Sequence, residues 1–205
     1  MPLPNNQEEN LQKTAKEMMK ATTKVLGAVL QTHMQYILYK EGPEGLKKVE
    51  EKMAELGYPI LFKEIKNFEY YPIGIVSLPV VIAKTIFHWS DKEIFEMGNH
   101  APKYSAVAKL MLKYFVGLKR IVKQAPQYWK KHNTEGELTC DLDENKKRVV
   151  VKLKFDPLHP LFCVFFQGYF LRIFQFVVPN SNITIKETKC MFKGDPYHEY
   201  VVRWE

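Results

Sequence analysis

Cysteine is scarce. The 205 residues hold three, Cys140, Cys163 and Cys190, an odd number that fits no disulfide scaffold and points to a reducing compartment. Long apolar runs are missing too. The two greasiest stretches are Tyr70 to Phe87, broken by Pro72, Gly74, Pro79 and Lys84, and Leu161 to Val178, broken by Gln167, Arg172 and Gln175. A bilayer span needs roughly 20 mostly apolar residues, so both stretches read as buried core. The polar opening MPLPNNQEENLQK has no apolar signal core, and the expectation is a soluble, cytoplasmic protein. Catalytic signatures are absent: there is no phosphate-cradling glycine loop, no Gly-x-Ser-x-Gly elbow and no His-Glu-x-x-His helix. The chain therefore reads as non-enzymatic. It also lacks repeats, low-complexity linkers and any compositional break, so one domain over 1–205 is expected, with a helical part over about 7–132 and a hairpin-rich part over about 136–205.

What is present is an ordinary globular composition, 46% hydrophobic and 26% charged, which rules out a disordered chain. Apolar residues at steps of three and four predict a helix from Gln7 to Lys40, stopped by Gly42-Pro43, and a second from Glu44 to Leu56. Tyr58 to Phe87 reads as short helices and turns. Ser90 with Glu93 three residues on spells a capping box, opening a short helix that ends near Gly98. Another helix spans Tyr104 to about Gln124, and Pro126 should end or kink it. Alternation then predicts a hairpin of Glu137–Asp143 with Arg148–Phe155, a buried helix over Leu161–Val178, and a closing hairpin of Ile183–Phe192 with Tyr197–Trp204. The fold class is α+β: N-terminal helices with a small antiparallel sheet made of two hairpins joined by a buried helix.

If the last turn centres on Gly194, Cys190 and His198 face one another across the two strands. A thiolate and an imidazole so placed can share one zinc ion. Glu187, three residues before Cys190, points to the opposite face under strict alternation and joins only through a bulge or twist. Cys163 opens the preceding helix, with His159 one turn earlier. The alternative is a small apolar cysteine in a core beside a solvated histidine.

Thirteen Phe, eleven Tyr and three Trp supply aromatic surface, and Phe162, Phe166, Tyr169 and Phe170 crowd one helix with Arg172. These residues either fill the core or line a pocket for a small hydrophobic or aromatic ligand, Arg172 or His159 meeting an acidic head group. The formal charge is +7, and Lys113, Lys119, Arg120, Lys123, Lys130, Lys131 and His132 form a basic run along and beyond one helix. That run is a solvated helix face or a docking surface for an acidic protein partner or an anionic membrane. Nucleic acid is not expected, because no recognition motif accompanies the charge.

Gly168-Tyr169, Glu187-Thr-Lys-Cys190, Gly194-Asp195-Pro196 and a final candidate ligand at His198 together resemble the 4-vinyl reductase domain, also described as predicted hydrocarbon-binding proteins. The resemblance covers about 137–204, with an echo upstream in Tyr39-Lys-Glu-Gly-Pro-Glu-Gly45. It implies a dimeric fold related to the ligand-binding domains of nitric-oxide sensors and to transport-tether subunits, and a structural zinc held by Cys163, Glu187, Cys190 and His198, the last replacing a closing cysteine. No haem is expected, because Tyr104-Ser105 lacks the arginine of the sensors' Tyr-x-Ser-x-Arg signature and no histidine is singled out. The reading is a non-enzymatic small-molecule sensor, expected as a homodimer; the alternative is a ligand-free assembly subunit of the tether type.

Overall fold

The computed structural model describes residues 4–104, 117–156, 158–178 and 182–205. The fold is α+β and divides into two compact units, Met1–Ile94 and Phe95–Glu205.

In the first unit α1 (Asn5–Met18) is followed by β1 (Lys24–Leu26) and α2 (Gly27–Glu55), so the helix expected from Gln7 to Lys40 is two helices with a strand between. The β-branched Thr22, Thr23 and Val25 favour extended backbone there. β1 pairs antiparallel with β2 (Tyr70–Pro72), and the Thr23 carbonyl accepts the Ile73 N–H at 2.9 Å. Gly42 breaks the helical dihedrals inside α2 at φ 72°, in line with the expected stop at Gly42-Pro43. The segment expected as short helices and turns contains a full helix, α3 (Ile73–Ile86), which runs through Pro79 and buries most of its circumference. A helix apolar all round belongs in a core, and α3 packs against α1 and α2. Among the described residues no helix is long and apolar enough to cross a membrane.

α4 (Asp91–Tyr104) starts at the capping box: Ser90 donates its N–H to Glu93 at 2.8 Å and Ser90 Oγ accepts the Lys92 N–H at 3.2 Å. It runs past Gly98, because that glycine is a packing position and not a cap. In the second unit the expected helix from Tyr104 to Gln124 falls largely on 105–116, outside the described residues. α5 (Leu118–His132) follows and continues through Pro126.

β3 (Glu137–Asp143), β4 (Arg148–Lys154), β5 (Ile183–Lys189) and β6 (His198–Trp204) form one antiparallel sheet in the order β3-β4-β6-β5. Its inner face presents Leu138, Val149, Val151, Leu153, His198, Tyr200 and Val202, all buried. α6 (Leu161–Val177) packs on β5 and β6. Both expected hairpins and the buried helix between them are present.

Candidate metal centre

Pro160 stands at the N-cap of α6, and His159 Nδ1 accepts the Leu161 N–H at 3.2 Å. His159 thus serves the helix start. The first turn of α6 then delivers Cys163, 7% exposed, toward the β5–β6 hairpin.

The hairpin turn is held by local chemistry. Gly194 takes a left-handed conformation at φ 91°, which glycine adopts without a Cβ penalty. Asp195 Oδ2 accepts the Cys190 N–H at 2.8 Å, and the Cys190 carbonyl accepts the N–H groups of Lys193 and Asp195 at 2.9 and 3.2 Å. Lys189 faces Glu199, but Glu187 faces Tyr200, so a bulge lies between Glu187 and Lys189. One extra residue turns the preceding side chain to the other face. Glu187, which alternation would aim away, joins the side of Cys190 and His198.

Four donors meet as a result. Cys163 Sγ lies 3.5 Å from Cys190 Sγ and 3.8 Å from His198 Nδ1, and His198 Nδ1 lies 3.1 Å from Glu187 Oε1. One ligand atom from each residue falls within 4.8 Å of all the others. A four-coordinate ion with bonds of about 2.0–2.3 Å spaces its ligands roughly 3.3–3.8 Å apart; the 3.5 and 3.8 Å separations fall in that range, and the 3.1 Å one lies just below it. Phe155 and Phe192 stand 5.6 and 5.9 Å from the imidazole and wall the centre with apolar surface. Burial pushes the Cys163 thiol well above its usual range, reinforced by Cys190 and by the charge of Glu187. Burial likewise raises the Tyr200 phenol, with Glu187 adding to it. His198 Nε2 is buried and has no hydrogen-bond partner among the described residues.

The aromatic residues singled out on the helix do not all share one wall. Phe166 contacts Tyr169 and Phe170 at 6.4 and 5.8 Å, and Phe170 contacts Tyr200 at 5.3 Å. Phe162 packs on Phe165 at 6.0 Å. Arg172 turns to α4, where its Nε donates to Asn99 Oδ1 at 3.1 Å, and it also covers the Phe176 ring. In the basic run Lys113 lies outside the described residues, and Lys119 pairs with Glu144 at 2.8 Å.

His132 leaves that run altogether, being only 9% exposed. Its Nδ1 meets the Tyr128 carbonyl at 2.8 Å, and a carbonyl only accepts, so Nδ1 carries the proton. Nε2 is then a lone-pair nitrogen, buried without a hydrogen-bond partner among the described residues. Burial holds the imidazole below its usual pKa, with the Lys131 charge adding to it. Sequence reasoning placed this residue in the basic run because it follows Lys130 and Lys131, and its burial was not legible there.

No family model matches this sequence, and neither does any curated protein sequence. Solved structures do match. An H-NOX protein from S. oneidensis in the Fe(II)NO state superposes with a TM-score of 0.68 at 11% identity, covering 88% of this chain and 99% of that one. The H-NOX domain of Shewanella oneidensis in the Fe(II)CO state gives 0.65 at 12% identity, over 88% and 98%. Unliganded Fe(II) H-NOX from K. algicida gives 0.59 at 10% identity, over 88% and 96%. The chain is similar in fold to these haem nitric oxide/oxygen-binding domains.

Two expectations are corrected by these findings. The resemblance to the 4-vinyl reductase domain is overturned, since the structural neighbours are H-NOX domains and no family model supports it. Its Gly-Asp-Pro element reports the demands of one turn, a left-handed glycine and an aspartate capping Cys190, which unrelated hairpins share. The cofactor expectation, zinc without haem, is overturned as well: the matched structures are of haem-binding H-NOX proteins, and none supports zinc. A haem requires an axial donor from the protein. His132 fits that part, as a neutral imidazole with Nδ1 fixed and Nε2 unengaged. Of the Tyr104-Ser105 pair, Ser105 lies outside the described residues.

Proposed function

We propose that this chain is a non-enzymatic, small-molecule-responsive sensor domain whose responsive element is a metal ion held by Cys163, Glu187, Cys190 and His198. The observation that carries this reading is the convergence of four donors from α6 and the β5–β6 hairpin within 4.8 Å. Two sulfurs, one nitrogen and one oxygen suit a divalent transition-metal ion of borderline softness. With every position filled by protein, no place remains for a reacting water, so the ion would tie the helix to the hairpin and not perform catalysis. The sensing role draws on the shared fold, which in the H-NOX structures accompanies NO and CO complexes.

Cobalt(II) titrated into reduced protein is expected to bind at one equivalent per chain and produce the intense thiolate-to-metal absorption of sulfur ligation. Cys190→Ser should lose most of that band and weaken binding by more than the roughly 10–100-fold that an outer partner costs. A Cys190→Ser protein that keeps both the band and the affinity would overturn the site.

The unengaged Nε2 of His132 favours a second reading, an iron porphyrin held by that nitrogen. A haem so held would supply an iron coordination position for a diatomic gas; the chain's own part is to keep His132 neutral and oriented through Tyr128. Haemin added to the protein should then give a sharpened, shifted Soret band that His132→Ala lacks. Identical spectra for the two proteins would sink this reading.

A further inference from the structure

We infer that the exposed face of α5 docks this protein on an anionic lipid bilayer, and does so by charge alone. The inference goes beyond the sensor reading and does not depend on the metal ion. Lys119, Arg120, Lys123, Gln127, Lys130 and Lys131 are the exposed residues of the helix, and every other one is buried or half-buried. At about 100° per residue these positions fall within an arc of about 120°, and they run about 18 Å along the axis. All but Gln127 are cationic. The helix packs on β3, with Ile121 and His132 buried.

Helix stability is given up to keep this stripe. Lys119 and Arg120 occupy the first turn, where the helix dipole disfavours cations, and no acidic residue stands there to offset them. By contrast, α4 opens on Asp91 and Glu93. No Asp or Glu occurs anywhere in Leu118–His132. Lys119 and Lys123, four apart, and Arg120 and Lys123, three apart, therefore set like charges side by side. A face that served solubility alone would mix the two signs. Glu144 does meet Lys119 at 2.8 Å, but both side chains are more than half exposed and water screens the pair.

The chemistry of the stripe selects its partner. Protein interfaces rely on aromatic or aliphatic anchors at their centre and are depleted of lysine there. This arc offers no apolar residue; Trp129 packs instead on Phe155 and Phe166, at 6.2 and 6.3 Å. Single-stranded nucleic acid calls for exposed stacking rings, which the arc also lacks. Most of the cations are lysines, point charges that answer a diffuse potential and not the fixed edges of a base pair. A leaflet containing phosphatidylserine or phosphatidylglycerol presents such a potential, and attracts basic residues in proportion to their number.

The test sediments full-length protein with vesicles of phosphatidylcholine and phosphatidylserine, with pure phosphatidylcholine as the blank. Binding should require the anionic lipid and should disappear as salt is raised from about 0.1 M to 1 M. Lys123→Ala with Lys130→Ala should weaken partitioning about thirtyfold, roughly fivefold for each lysine withdrawn from the surface. Lys47→Ala with Lys48→Ala, exposed lysines of α2, removes the same net charge and should leave partitioning within about twofold of the parent. Gln127→Lys, which adds a cation inside the arc, should strengthen it by about fivefold. The inference is overturned if the protein ignores the anionic vesicles, or if the α2 pair costs as much as the α5 pair. It is overturned equally if duplex DNA binds more tightly than the vesicles through Lys123 and Lys130, which would make nucleic acid the ligand.

Discussion

Gly168→Ala is expected to destabilise the Phe95–Glu205 unit by about 3 kcal/mol, the upper range for forcing atoms into a filled interior. A Cβ at Gly168 would land on the Phe95 carbonyl oxygen and crowd the Asn99 backbone nitrogen, while one at Gly98 would land on the Phe165 carbonyl. The two glycines interlock α4 and α6 backbone to backbone, and neither obstacle is a side chain that could swing away. Asn99 reinforces the crossing by accepting from Arg172 Nε at 3.1 Å. Helix propensity alone predicts the opposite sign, since alanine in a helix interior is better than glycine by roughly 0.5–1 kcal/mol. Urea denaturation therefore discriminates by direction. A midpoint that rises in Gly168→Ala would dismiss the interlock. Because α6 carries Cys163, the variant should also bind cobalt(II) more weakly than its parent.

Much of the hairpin-rich half was legible. Alternation around Val149, Val151 and Leu153 places β4, and those residues are buried. Gly194 marks the closing turn, and Lys189 and Glu199, equidistant from it, do face each other. That register puts Cys190 and His198 together, and the structure gathers them with Cys163. The position of Glu187 was not legible. It depends on a bulge at Thr188, and no glycine or proline announces one there. Nor was the continuation of α4 past Gly98 legible. A glycine at the end of an apolar stripe looks like a cap, and only the approach of α6 from far along the chain makes it a contact.

The helical half misled for a related reason. Apolar spacing survives across a turn, so α1 and α2 read as one helix although Lys24–Leu26 pairs with Tyr70–Pro72. Two prolines in Tyr70–Phe87 argue locally against a helix, yet one falls at the N-cap of α3, where no intrahelical N–H is required, and the buried surface around Pro79 outweighs its missing bond. Motif resemblance failed in the same way. Short phrases record the geometry of a turn, while the fold lies in the arrangement of whole elements, in which the H-NOX structures are similar over 88% of the chain.

One buried histidine is expected to weaken the first unit in acid. His33 in α2 is buried, and its Nδ1 meets the Val76 backbone carbonyl at 2.9 Å. Burial lowers its pKa from 6.5 to about 4, the hydrogen bond opposing the shift only in part. Between those values the unfolded chain binds a proton that the folded chain refuses, so stability is intact above pH 6.5 and is lost as pH falls toward 4. At 1.36 kcal/mol per pKa unit the loss approaches about 3 kcal/mol. His33→Asn keeps an N–H donor near the Nδ1 position and removes the titration. Urea midpoints at pH 7 and pH 4 should therefore converge in the variant by the amount they diverge in the parent, after the carboxylates common to both are subtracted. Parallel pH profiles for the two proteins would mean that His33 takes up its proton without opening the α2–α3 interface.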